Sequence, residues 1–168
     1  MKSSKKIAYL GLCTTIALVL AYVESLIPPI FSAVPGIKMG LPNVVIIFVL
    51  YKFKPRDAII VSLLRVFIVT LLFGNVMTLS YSLSGAVLSL TGMIILKKLD
   101  FLSMVGVSVV GAVLHNAGQI IMAMILLSTA EIGYYLIVLA ITGAISGVLI
   151  GLIGGILAKR VGIGREET

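Results

Sequence analysis

The sequence predicts an all-α integral membrane protein with six transmembrane helices. Six apolar segments recur along the 168 residues, and the mean hydropathy of +1.24 is unlike that of an ordinary soluble domain. Lysines and arginines fall between the segments on alternate sides, as in multi-pass proteins. Backbone amides in hydrocarbon need partners within their own segment, and no strand alternation suggests a barrel, so the segments are predicted to be helices.

The six segments share a continuous apolar character between charged or turn-forming residues. They are Ile7–Ile27, Leu41–Tyr51, Ala58–Phe73, Leu79–Leu96, Phe101–Leu127 and Tyr134–Ala158. Together they predict one domain over residues 1–168. The first segment follows two lysines, as in a signal peptide, but no cleavage site follows promptly and five further segments come after it, which favours a membrane helix.

The positions of the cations predict the orientation. Of the 13 lysines and arginines, 11 lie at segment ends that alternating helices bring to one face. These are Lys2, Lys5, Lys6, Lys52, Lys54, Arg56, Lys97, Lys98, Lys159, Arg160 and Arg165. The positive-inside rule therefore predicts a multi-pass protein of the cell membrane with both termini cytoplasmic. The net charge of +7 is a topology signal with weak attraction to lipid headgroups, and does not indicate nucleic-acid binding.

The second segment is too short for a straight span. Its 11 residues give roughly 16 Å of helix against a hydrocarbon thickness of about 30 Å. Residues 28–43, just before and into it, hold four of the five prolines but are mostly apolar. Two interpretations stay open: a loop that dips back into the membrane against protein, or an ordinary outer loop at the interface. Pro42 suits the first turn of the helix.

Arg65 lies in the middle of the third segment. A central arginine costs about 3 kcal/mol on insertion scales, and such residues usually face a cavity or a partner. The alternatives are a helix-end carbonyl and snorkelling, which is awkward from this depth, so a functional or partner-binding role is favoured. Glu24, near the outer end of the first segment, is placed to face Arg65, Lys38 or solvent.

The fifth segment carries His115, Asn116 and Gln119 near its middle. His115 and Gln119 are four residues apart and share a helix face. A lone histidine is more often a satisfied interior residue, but the neighbouring amides favour the wall of a polar pocket. One histidine cannot form a standard zinc site, and nothing favours haem ligation over hydrogen bonding. No metal and no cofactor are therefore predicted.

Small residues recur at helical spacing in three segments. The fourth carries a stripe of Thr78, Ser82, Gly85, Ser89 and Gly92, and the sixth carries Gly143, Gly147, Gly151 and Gly155. The first carries Ala17 and Ala21. All three patterns predict close helix packing. Polar residues at the outer ends of the helices are expected to ring a pocket: Lys38, Asn43, Asn75, Tyr81 and Glu131. More cations than anions are expected to point inward, which indicates an anionic or polar-headed ligand.

Four stretches together resemble a known family: Pro35–Asn43, Leu64-Arg65 with Leu72–Gly74, Ser82–Gly85, and Gly111–Gln119. They resemble the Gx transporter family, also labelled heptaprenyl diphosphate synthase component I. That family is similar to the S components of energy-coupling factor (ECF) vitamin transporters. The resemblance covers nearly the whole chain and implies a six-helix bundle of the S-component type.

The resemblance also implies a substrate site and a partner contact. In S components the site opens outward beneath the loop joining the first two helices, which matches the irregular loop and the His115 region here. An Ala-x-x-x-Ala contact with a membrane coupling subunit, driven by paired ATPases, matches Ala17 and Ala21. Such a subunit captures a small vitamin- or cofactor-like compound outside and topples in the membrane to release it inside.

The predicted substrate-binding residues are Lys38, Asn43, Arg65, His115, Asn116 and Gln119. Lys38 and Arg65 are expected to neutralise an anionic group, the amides to orient the substrate, and His115 to act as donor or acceptor. No catalytic residue is predicted. Prenyl diphosphate synthases need clustered aspartates to hold magnesium and diphosphate, whereas this chain has only Asp57 and Asp100, far apart. It has no Walker loop either, so any ATP use belongs to a partner.

Two other functions stay open at this point. One is a membrane partner in prenyl or quinone biosynthesis, or in flavin-linked electron transfer across the membrane, for which His115 and the tyrosines could serve. The other is a helical assembly subunit with no ligand of its own. Both differ from the importer subunit in what they bind.

Overall fold

The computed structural model describes residues 3–26 and 40–161. They form six α-helices: α1 (Ser3–Leu26), α2 (Asn43–Lys52), α3 (Pro55–Phe73), α4 (Val76–Leu99), α5 (Met104–Leu127) and α6 (Tyr135–Arg160). A short 3₁₀ helix, Ala130–Tyr134, leads from α5 into α6. Each predicted segment is confirmed as a helix, with ends no more than four residues from those predicted. The predicted all-α class is confirmed over the described residues, which contain no strand.

Membrane-spanning character differs among the helices. Four helical segments are long and apolar enough to cross a bilayer, namely α1, α4, α5, and α6 together with its 3₁₀ turn. α2 has only 10 residues, so the prediction that it is short is confirmed. α3 has 19 residues but carries Arg56, Asp57 and Arg65, and it is not among the four. The described residues thus form a membrane-embedded helical protein with four candidate spans rather than six.

Contacts made by lysine side chains mark one end of the bundle, here called the cation end. Lys6 Nζ, near the start of α1, lies 2.8 Å from Asp57 Oδ2, at the start of α3. The same Asp57 carboxylate accepts a hydrogen bond from the Lys54 backbone N–H at 3.0 Å. Near the end of α4, Lys97 Nζ donates to the Leu50 carbonyl of α2 at 2.8 Å. The first four helices therefore alternate in direction, as the charge pattern predicts.

α2 forms the centre of the apolar core. Its residues Val44–Leu50 are all buried, and α2 packs against α1, α3 and α6. A helix that is hydrophobic on every side is stable only when it is surrounded by protein or lipid. The other helices instead leave large apolar side chains exposed along their outer faces, such as Leu71 and Ile137. Apolar surface of this extent suits contact with lipid tails.

Close helix approach confirms most of the small-residue patterns. At Gly85 of α4 an added Cβ would lie 2.8 Å from the His115 carbonyl oxygen of α5. A Cβ added to Gly147 of α6 would lie 2.7 Å from Val109 Cα of α5, and one added to Gly151 would lie 2.7 Å from Val105 Cα.

The repeat on α6 fails at its last member. Among the described residues, a Cβ on Gly155 would meet nothing within 4 Å, whereas one on Gly154 would lie 2.7 Å from Ile47 Cγ2 of α2. Each four-residue step turns the helix about 40° past a full circle, so a strict repeat drifts off the contact face. The predicted packing role is therefore wrong for Gly155.

Candidate ligand-binding cavity

A cavity of about 80 Å³ lies toward the end of the bundle opposite the cation end. It can hold several water molecules, since each needs about 10–15 Å³. Its walls come from the end of α1, the second half of α3, the start of α4 and the middle of α5. The lining residues are Ala21, Glu24, Ser25, Gly40, Arg65, Val66, Val69, Thr70, Phe73, Gly74, Thr78, Ser82, His115 and Gln119.

The inner wall of the cavity is polar and buried. Arg65 is 7% exposed, His115 6% and Gln119 2%. Toward the outside, Ser25, Phe73 and Gly74 are exposed. The cavity therefore runs from an exposed rim to a buried wall that carries hydrogen-bonding side chains.

Three polar side-chain atoms on this wall form no hydrogen bond within the described part of the chain. Among the described residues, the buried side-chain nitrogens and oxygens without a hydrogen bond are Arg65 Nε, His115 Nδ1 and Gln119 Oε1. All three residues line the same cavity. An unsatisfied buried polar group costs about 1–3 kcal/mol, and more when it is charged. Native proteins keep few such groups, so three around one space indicate a place where a bound molecule completes the hydrogen bonds.

Glu24 adds a negative charge to the cavity wall. Its Oε1 accepts hydrogen bonds from the backbone N–H groups of Gly40 and, at 3.4 Å, Leu41, just ahead of α2. The carboxylate also lies close enough to Arg65 to interact with it electrostatically. Of the three orientations open from the sequence, the structure shows the one toward Arg65. Lys38 lies outside the described residues, so a contact between Glu24 and Lys38 stays a prediction.

Gly40 permits this junction between α1 and α2. Its φ of +85° lies in the left-handed region that favours glycine. A Cβ here would also lie 2.8 Å from Asn43 Nδ2. The left-handed backbone that aims the Gly40 amide at Glu24 therefore favours glycine at this position.

The seam between α4 and α5 sets the positions of His115 and Gln119. A Cβ on Gly85 would lie 3.0 Å from both His115 Cε1 and Gln119 Cγ. Beside it, Ser84 Oγ donates to the Gly118 carbonyl at 2.8 Å. The small side chains of α4 thus let α5 approach until its polar face meets the cavity.

The comparison with known families agrees with the resemblance predicted from the motifs. A family model described as heptaprenyl diphosphate synthase component I matches residues 13–157. The chain belongs to this family. The match includes every residue of the cavity lining. No curated protein and no solved structure matches the chain.

The family description also bears on partners. The word "component" in that description designates one part of an assembly. A protein of this family is therefore expected to act with at least one other subunit. The description links the assembly to prenyl diphosphate synthesis, and it does not say which part performs chemistry.

The structure brings together half of the residues predicted to bind substrate. Arg65 of α3 meets His115 and Gln119 of α5 around the cavity. Asn116 is buried but lies outside the lining, and its Nδ2 donates to the Leu139 carbonyl of α6 at 2.7 Å. One residue corresponds to about 100° of helix rotation, so His115 and its neighbour Asn116 face different helices.

Two further predicted residues lie elsewhere. Asn43 is half-buried at the start of α2, beside Gly40, and is not part of the lining. Lys38 lies outside the described residues, as does most of the irregular loop before α2. Substrate binding by Lys38, Asn43 and Asn116 stays a prediction.

Three of the polar residues predicted to ring the pocket at the outer ends of the helices lie away from the cavity. Asn75 caps α4, where its Oδ1 accepts from the Thr78 N–H at 2.9 Å. Tyr81 is buried against Ala123, and Glu131 is exposed. None of these residues lines the cavity. Thr78 and Ser82 do line it, as expected if the outer end of the α4 stripe borders a pocket.

Sequence reasoning missed the α3 wall beyond Arg65. This wall consists of Val66, Val69, Thr70 and Phe73. With Arg65 these positions recur at three- and four-residue intervals, the spacing of one helix face. Extending the face of the intramembrane arginine by one and two turns would have identified them.

Ala17 and Ala21 face the interior of the protein. Ala17 is 0% exposed and belongs to the apolar core around α2. Ala21 is 4% exposed and lines the cavity. In this arrangement neither side chain lies on the outer face of α1, where a partner subunit could contact it. The role of Ala17 and Ala21 in partner contact stays a prediction.

Proposed function

We propose that the chain is a membrane-embedded substrate-binding subunit of an ECF-type importer for a small, polar-headed, vitamin- or cofactor-like compound. The observation that carries the proposal is the convergence of three unpaired buried polar atoms, from Arg65, His115 and Gln119, on one cavity. An assembly subunit without a ligand has no need for such a wall, because apolar residues would be more stable there.

The orientation follows from the cation end. The positive-inside rule puts this end, with both termini, in the cytoplasm, in a multi-pass protein of the cell membrane. Because the cavity lies toward the opposite end, it would accept its substrate from outside the cell. That direction suits a subunit that captures a solute for import.

Energy and any chemistry would come from partners. Among the described residues, the cavity lining contains one carboxylate, that of Glu24, and no group of three His, Cys, Asp or Glu side chains could hold a metal ion. Asp57 is engaged by Lys6, and Asp100 forms the C-cap of α4. We therefore infer that the chain is not itself an enzyme, and that a membrane coupling subunit with its ATPases drives the release of substrate.

The family description favours a second candidate, a membrane partner of an enzyme in prenyl or quinone biosynthesis. A diphosphate group would need several cations or a metal ion for its charge. The described lining offers Arg65, with Glu24 beside it. This charge balance supports the importer subunit over the prenyl diphosphate partner.

Mass spectrometry of the intact protein in lipid nanodiscs tests the proposal. The wild type is expected to carry a co-purified small polar compound, whereas Arg65→Gln and Gln119→Met lose it. Leu64→Ala, on the exposed face beside Arg65, is the matched control and should retain it. A prenyl lipid or quinone bound to the wild type would favour the second candidate. A wild type with no ligand, whose stability no tested solute raises, would contradict the importer proposal.

A further inference from the structure

The unpaired atoms of the cavity differ in hydrogen-bonding character. Arg65 Nε can only donate, Gln119 Oε1 can only accept, and His115 Nδ1 can do either, depending on its tautomer. Each side chain is more than nine-tenths buried. With the Gln119 amide oriented as in the structure, a molecule that completes this wall brings at least one acceptor and at least one donor.

These atoms lie around a small space. His115 and Gln119 are one turn apart on α5, where side chains are about 5–6 Å from each other. Arg65, from α3, is near enough to His115 for its positive charge to act on the imidazole. Because the cavity is only about 80 Å³, one compact polar group would have to meet both Arg65 and Gln119.

A free anion fits this wall poorly. A carboxylate or phosphate could accept from Arg65, but its oxygens would face Gln119 Oε1, which is also an acceptor. The Glu24 carboxylate also lies in this cavity and offsets part of the Arg65 charge that would attract an anion. Two acceptors that face each other oppose binding, and the balanced charge gives an anion little compensation.

We propose that the cavity recognises a group in which a hydrogen-bond acceptor and a hydrogen-bond donor stand side by side, as on an amide, with no net charge. The acceptor binds Arg65 and the donor binds Gln119, while His115 adapts to either atom. This inference rests on the proposed substrate-binding function and narrows it, since it replaces the expected anionic ligand by an amide-like one.

Three probes of similar size separate the possibilities. Acetamide has the acceptor and the donor, methyl acetate has a carbonyl acceptor without a donor, and acetate is the free anion. Ligand-observed NMR on the full chain in lipid nanodiscs would give the affinity of each. We expect acetamide to bind about tenfold more tightly than either of the others, because each leaves Gln119 without a donor.

A substitution at Gln119 tests whether this residue causes the preference for acetamide. Gln119→Met keeps the volume but removes the acceptor, so acetamide should lose its advantage over methyl acetate. Leu64→Ala serves as the control and should keep the wild-type ranking. The ranking of the probes on the wild type needs no variant, so a Gln119→Met protein that fails to fold does not remove the test.

Two outcomes overturn the proposal in different ways. If acetate binds best and Arg65→Gln abolishes its binding, the cavity is an anion site, and the amide-like ligand is wrong while the substrate-binding function stands. If none of the probes binds the wild type, the amide-like ligand is wrong. In that case the substrate-binding function is also contradicted if mass spectrometry finds no small polar compound on the wild type, and it stands if such a compound is found.

Discussion

The Glu24 carboxylate of α1 accepts a hydrogen bond from the backbone N–H of Gly40, 16 residues later and just ahead of α2. The same carboxylate lines the cavity and interacts with Arg65. One side chain therefore takes part both in the junction of α1 with α2 and in the charge balance of the site. A change at Glu24 is expected to affect stability and binding together.

Replacing Glu24 by Gln should cost about 1 kcal/mol of unfolding free energy, because a charge-assisted hydrogen bond becomes a neutral one. Glu24→Ala should cost more, since the amides of Gly40 and Leu41 then lose their acceptor. Cys13 is the chain's only cysteine and is buried, so a thiol-reactive dye reports thermal unfolding. Ser25→Ala, at the exposed rim, is the control. Equal stability of Glu24→Ala and wild type would exclude a structural role for the carboxylate.

Replacing Arg65 or His115 by Ala should weaken ligand binding by at least about tenfold, because each removes one polar partner from a buried wall. Membrane insertion should stay intact, since neither change adds a charge to the bilayer. Binding of the co-purified compound and the yield of protein in the membrane fraction measure the two effects. If both variants bind as the wild type does, the cavity is not the binding site.

Gly85→Ala and Gly155→Ala form a matched pair of helix substitutions. The first puts a Cβ 2.8 Å from the His115 carbonyl oxygen, so α4 and α5 must separate, at a cost of about 1–3 kcal/mol. The second puts a Cβ where no other residue of the described ranges lies within 4 Å, so it should be neutral or stabilise α6 by up to about 1 kcal/mol through helix propensity. Thermal unfolding compares them. Equal melting temperatures would show that the α4–α5 seam is not tightly packed.

Gly85→Ala should also weaken ligand binding, because the shift displaces His115 and Gln119 from the cavity wall. Gly155→Ala should bind as the wild type does. A titration of both variants with the co-purified compound measures this. Unchanged binding in a destabilised Gly85→Ala protein would show that the packing of α4 against α5 does not position the binding residues.

The effects of larger residues at Ala17 and Ala21 should differ from those that the sequence motif predicts. The partner contact implied by the family resemblance leads to the expectation that bulky residues block association with a coupling subunit and leave ligand binding intact. Since Ala17 is fully buried in the core, Ala17→Leu should destabilise the fold by about 1–3 kcal/mol. Ala21→Leu should fill part of the cavity and weaken binding.

Val19→Leu, on the exposed face of α1, is the control for these two variants and should leave both stability and binding unchanged. Thermal unfolding, ligand titration and co-purification with partner subunits measure the three effects separately. Normal stability and binding in both alanine variants, together with lost partner association, would support the role that the motif predicts.

The sequence by itself determined the helices, the shortness of α2 and the side on which the cations gather. It also singled out Arg65, His115 and Gln119, because a polar side chain at membrane depth costs free energy wherever it points. These properties are local: a run of apolar residues or an isolated charge is recognisable without knowledge of its neighbours.

Only the tertiary structure decided which way each helix face points. It turned Asn116 toward α6, Ala17 into the core, Gly154 rather than Gly155 toward α2, and Glu24 toward Arg65. In a water-soluble protein the polar face of a helix marks the outside. In a bilayer the interior and the surroundings are both apolar, so hydropathy does not distinguish them and only packing against the other helices does.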